Sequence, residues 1–180
     1  MSDKSVSAAS PRAFAARMGL WLLILTITIL FLVISLLFMV AKPGETKTDV
    51  PAGFFLTTLL LAGSSISLQM AWINRKNTAA LRWLDLSIGL ALLFLAGQGL
   101  TWWNMASEGI LFAGSGPRVS YLYVLTGLHA AHLLGGLGLI GYVRAAYLRG
   151  GMQRLDMALY FWHFLGLLWV YLLGVMAVNL

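Results

Sequence analysis

The chain has 180 residues, of which 60% are apolar and 10% charged, with a mean hydropathy of +0.86. That balance excludes a soluble domain and leaves length for several membrane spans. The net charge of +6 does not point to nucleic acid, because the basic residues lie between apolar runs, and the absence of cysteine excludes disulfides, thiolate metal sites and a Cys nucleophile.

Residues 1–17 are polar, Ser- and Ala-rich and weakly basic, and read as a short tail in which Pro11 would break a helix. The remainder, 18–180, reads as a single all-α domain of five transmembrane helices over about 18–41, 50–73, 84–104, 119–143 and 157–179. The first run is too long for a signal-peptide core and lacks a small-residue cleavage site, so it is taken as a retained span. The second carries Thr57, Thr58, Ser64, Ser65, Ser67 and Gln69, suited to hydrogen bonds along or between helices. The third contains Gln98 and closes on Trp102 and Trp103, an interface anchor. Asp85, at its start, sits beside Arg82 in a snorkelling or ion-paired surface role.

The fourth run holds His129 and His132 with no Asp, Glu, Lys or Arg nearby, and His163 lies in the fifth. An ionisable group inside a span is a functional hypothesis by default, and imidazole is a common haem and metal ligand. Helical rise places His129 and His132 roughly 15–20 Å from one face and His163 about 9 Å from the other. No cysteine or embedded carboxylate completes a ligand shell. The expectation is therefore three structural histidines and no metal, with His129 and His132 hydrogen-bonded between helices. Gly127, Ala131, Gly135 and Gly138 share one arc of about 80°, where a neighbouring backbone can approach closely.

Loop charges orient the chain. With the amino terminus inside, Lys4, Arg12, Arg17, Arg75, Lys76, Arg82, Arg144, Arg149 and Arg154 are cytoplasmic, and Lys42, Lys47 and Arg118 lie outside. The amino end is expected in the cytoplasm and the carboxyl end out. A small transporter is disfavoured by the lack of an internal repeat and of a central acid in any span. A haem-binding anchor using His129 or His132 with His163 is a further alternative.

Two motifs stand out: Thr126-Gly-Leu-His129-Ala-Ala-His132 in the fourth span, and Trp162-His163-Phe164 opening the last. Together they resemble subunit III of the haem-copper respiratory oxidases (cytochrome c or quinol oxidase), in its short five-helix bacterial form. Met18-Gly-Leu-Trp21 and Thr58-Leu-Leu-Leu-Ala-Gly-Ser64-Ser65 are similar to earlier pieces of the same family, in the same order. The family's usual glutamates are missing, at about Ile27 and at Thr101, so no role of those acids carries over.

The resemblance implies a non-catalytic subunit in a bacterial inner membrane, serving a proton-pumping terminal oxidase of aerobic respiration. Haem and copper would belong to partner subunits, with catalytic subunit I, subunit II and further respiratory subunits as neighbours and the partner surface on the first two spans. It also implies bound phospholipid and support of proton uptake, with Arg144, Arg149, Arg154, Trp162 and His163 as lipid-binding candidates. Trp162 is read as a neighbour of an acyl chain or a belt aromatic, and His163 as bonding a lipid phosphate, a water or the fourth helix. Within the family, an accessory protein of nitric oxide reduction is the alternative.

Overall fold

The computed structural model describes residues 11–42, 51–149 and 154–179. Five helices account for nearly all of them: α1 (Pro11–Val40), α2 (Ala52–Ile73), α3 (Ala79–Ser107), α4 (Pro117–Leu148) and α5 (Leu155–Asn179). Each is long and apolar enough to cross a membrane. No strand occurs among the described residues.

The helices overrun the apolar limits read from sequence. α1 starts at Pro11, inside the expected tail, because proline in the first turn sacrifices no hydrogen bond and its fixed φ suits a helix start. α3 and α4 extend through Arg82 and Arg144, since polar turns at a membrane face can stay helical while their side chains reach water.

Contacts between helices close a ring in the order α1, α4, α3, α2, α5 and back to α1, with α4 and α5 also touching across it. Among the described residues, helix α1 meets only α4 and α5. Its outward face, including Leu22, Leu25, Ile29 and Val33, is exposed, as expected for helices solvated by lipid, which need polar satisfaction inside and apolar surface outside. The interior is filled by Phe31, Phe38, Phe54, Phe94, Trp162 and Trp169, all fully buried.

Close approach occurs at three glycines. A Cβ on Gly53 would collide with the Thr101 side chain and one on Gly97 with Thr57, which brings α2 and α3 together. A Cβ on Gly136 would lie 2.9 Å from Trp162 of α5. The arc expected to be close-packed differs: a Cβ on Gly127, Gly135 or Gly138 meets nothing within 4 Å, and Ala131 is exposed. The reason is the course of the inward stripe of α4, which runs through Leu122, Leu125, Thr126, His129, Leu133, Gly136 and Ile140 and turns the other small residues away from the chain's own core.

The two ends are fastened differently. At one, Arg118 at the start of α4 donates from Nε and Nη2 to the carbonyl of Ala41 (3.2 and 2.9 Å) and from Nη1 to that of Asn179 (2.7 Å). A guanidinium there satisfies orphan carbonyls where the dipoles of α1 and α5 favour positive charge. At the other end, Arg144 is ion-paired with Asp85 of α3, the Trp72 indole donates to Asp156, and the Tyr147 hydroxyl donates to the carbonyl of Asn77 (2.9 Å). Asp85 thus pairs across helices rather than with Arg82, which is exposed on the same helix.

Candidate functional site

His129 sits at the centre of the bundle with no exposed surface. Its ring stacks on Trp169 of α5 (centroids 5.1 Å apart, planes at 27°) and meets Phe31 of α1 and Phe94 of α3 edge to face at 6.4 and 6.3 Å. Phe94 and Phe54 in turn pack edge to face on Trp169 at 5.2 and 5.6 Å. Neither ring nitrogen of His129 has a hydrogen-bond partner among the described residues. The expected bond between helices is replaced by an aromatic box that joins α1, α3, α4 and α5. Such offset and edge-to-face pairs contribute about 0.5–1.5 kcal/mol each beyond their buried area.

His132, one turn on, also departs from expectation. Its Nδ1 donates to the carbonyl of Leu128 in its own helix (2.7 Å), and its ring meets Phe31 edge to face at 5.6 Å. The side chain that does hydrogen-bond between helices is His163 of α5. Its Nε2 pairs with Gln69 Oε1 and its Nδ1 with Ser65 Oγ, both at 3.1 Å. Ser65 and Gln69 lie one turn apart on one face of α2. The partner is therefore the second helix, not the fourth, because that four-residue spacing matches the two ends of an imidazole.

Three tryptophans share one device. The Trp162 indole donates to Ser64 Oγ (3.1 Å), Trp169 to Thr58 Oγ1 (2.9 Å) and Trp102 to Thr126 Oγ1 (3.1 Å). Each hydroxyl donates onward to a carbonyl: Ser64 to Ser87 (2.8 Å), Thr58 to Phe54 (2.6 Å) and Thr126 to Leu122 (2.9 Å). Ser87 returns a bond to the carbonyl of Ser64 (3.0 Å). Every indole N–H here is satisfied by a neighbouring helix, as burial in a spanning bundle demands. Trp162 is wholly enclosed, so it neither flanks an acyl chain nor forms an interfacial belt. Of the pair closing α3, Trp102 faces α4 and Trp103, 73% exposed, is left for the interface. Phe164 is partly buried against the core.

The arginines named as lipid candidates all have contacts within the chain. Arg144 is paired with Asp85, Arg149 Nε donates to the carbonyl of Ala145 (3.2 Å), and Arg154 lies 5.9 Å from the Tyr142 ring. Between α2 and α5 runs an apolar groove of about 680 Å³ over the Ser65–His163–Gln69 cluster. No three His, Cys, Asp or Glu side chains gather as a metal set among the described residues. The ring of His129 is enclosed by the side chains of Trp169, Phe31 and Phe94.

Helices α4 and α5 pack through residues of and close to the two motifs: His129 stacks on Trp169, further along the same helix face as Trp162, and Gly136, one turn past His132, abuts Trp162. No protein-family model matches the chain. It is similar to cytochrome c oxidase subunit 3 of Corynebacterium diphtheriae, 26% identical over 137 residues, covering 72% of this chain and 66% of that protein. The subunit 3 of Alkalihalophilus pseudofirmus is 28% identical over 142 residues, 73% of this chain and 69% of that protein. A probable subunit 3 of Mycobacterium bovis is 31% identical over 129 residues, 66% and 62% respectively. The chain is a homologue of bacterial cytochrome c oxidase subunit 3. It spans about two thirds of the length of these subunit 3 relatives.

The sequence reading named Arg118 and Gln98 but gave neither a contact. Arg118 looked like one loop cation among twelve Lys and Arg residues, and only the arrival of two helix ends beside it gives it a role. Gln98 donates to Thr57 Oγ1 (3.0 Å), a pairing across 41 positions that no local spacing announces.

Proposed function

We propose that this chain is a non-catalytic subunit III of a proton-pumping haem-copper terminal oxidase, held in a bacterial inner membrane with its amino end in the cytoplasm. The observation that carries this reading is the packing of α4 on α5 through His129 on Trp169 and Gly136 on Trp162, in a chain homologous to subunit 3 over most of its length. In this reading the histidines set the mutual position of helices, and haem and copper reside in catalytic subunit I and its neighbours. A bundle whose buried indoles are tied to neighbouring helices suits a protein that stabilises a partner and supports its proton uptake. The apolar groove between α2 and α5 suits the acyl chain of a structural phospholipid.

The test is extraction of native membranes in mild detergent with a tag on this chain. A large haem-bearing polypeptide should be recovered with it, in fixed stoichiometry. Recovery of a homogeneous free chain, with no oxidase polypeptide, would overturn the proposal.

A further inference from the structure

His132 is the sixteenth residue of the 32-residue helix α4, about 23 Å along the axis from either end and so at mid-depth of any bilayer it crosses. Its Nδ1 faces the carbonyl of Leu128, and a carbonyl only accepts, so Nδ1 carries the proton. An uncharged imidazole in that tautomer has a bare lone pair on Nε2, and no hydrogen bond among the described residues reaches it. The ring borders a groove of about 370 Å³ between α1 and α4, walled by Leu20, Leu23, Ile27, Ala131 and Gly135, in which His132 is the sole polar side chain.

We propose that this groove receives a transmembrane helix of the oxidase partner, which places a hydroxyl, amide or indole donor on His132 Nε2. The assignment rests on the subunit III reading and adds the face that meets the partner. Depth selects the occupant: headgroup donors lie roughly 15 Å or more away, acyl chains have none, a water would find no second polar partner in the apolar lining, and a protein side chain brings a donor to mid-membrane. Shape agrees, since Ala131 and Gly135 leave the α4 surface low beside the imidazole, so a foreign backbone can come close. The exposed α1 residue Leu23 supplies apolar area in the groove wall.

Leucine substitutions separate this face from others. Gly135→Leu and Gly99→Leu both introduce side chains where a Cβ meets nothing of the chain itself, but Gly99 is on α3, away from the groove. Both variants should leave thermal unfolding of the isolated chain unchanged. In the detergent-extracted complex, Gly135→Leu should lose the oxidase partner while Gly99→Leu keeps it. His132→Phe should weaken retention by roughly threefold to twentyfold, the range for one hydrogen bond between membrane helices. A photo-crosslinker at Leu23 should capture the partner polypeptide, and one at Leu100 of α3 should not. If Gly135→Leu holds the partner as well as Gly99→Leu, or the Leu23 probe labels lipid alone, the assignment is overturned. If the unaltered chain brings down no oxidase polypeptide, the functional reading falls and this assignment with it.

Discussion

Replacing Gly136 with alanine adds one methyl group where the bundle has least room. The new Cβ would lie 2.9 Å from Trp162 Cζ3, 3.0 Å from Cε3 and 3.2 Å from Leu165 Cδ1. Trp162 cannot simply swing away, because its indole N–H is held by Ser64, which is bonded to Ser87 of α3. The clash must therefore be met by shifting α5 from α4 or by stretching those bonds. Overpacking of this kind costs about 1–3 kcal/mol, against a helix-propensity gain for alanine of at most about 1 kcal/mol. With the full propensity gain the net cost is about 0–2 kcal/mol, so at about 2–4 °C per kcal/mol for a domain of this size Gly136→Ala should lower the unfolding temperature by up to about 8 °C. Gly135→Ala, with open space around its Cβ, should change it little or raise it. Both are read by thermal unfolding of the isolated chain in mild detergent. If Gly136→Ala is as harmless as Gly135→Ala, the packing of α4 on α5 described here is wrong.

His129→Phe should be neutral or stabilising in the same assay, because it keeps an aromatic in the box and removes two buried nitrogens without partners; His129→Ala should cost about 2–4 kcal/mol by opening a cavity beside Trp169. Ser64→Ala leaves the Trp162 N–H and the Ser87 carbonyl short of a partner, and should destabilise by about 1–3 kcal/mol, whereas Ser67→Ala, whose hydroxyl bonds its own helix, should cost less. Arg118→Leu should loosen the ends of α1 and α5, seen as faster amide exchange around Ala41 and Val175, and Arg118→Lys should restore only part of that protection because a single ammonium cannot span both carbonyls.

The five spans were legible because hydrocarbon imposes the same rule on every segment: a run of about 20 apolar residues must be helical. The two-part histidine motif was legible as well, since its spacing and its order along the chain are local. Contacts were not. His129 and His163 look alike in sequence, each an imidazole in an apolar run, yet one is walled by rings from α1, α3 and α5 and the other is held by a serine and a glutamine of α2. Which applies depends on helix rotations that no single helix encodes. The small-residue arc of α4 misled for the same reason, because glycine spacing reports that a backbone can approach and not whose backbone it is. The ion-paired surface role of Asp85 was legible, but its partner, Arg144, comes from 59 positions away.

The central claim is that redox cofactors belong to the partner and that these histidines serve packing. The direct measurement is a reduced-minus-oxidised spectrum with iron and copper analysis, made on the chain purified by itself in detergent and again on the complex it brings down. The account predicts bands and metal in the complex and neither in the chain alone. Haem or copper bound to the isolated chain at one equivalent would contradict it.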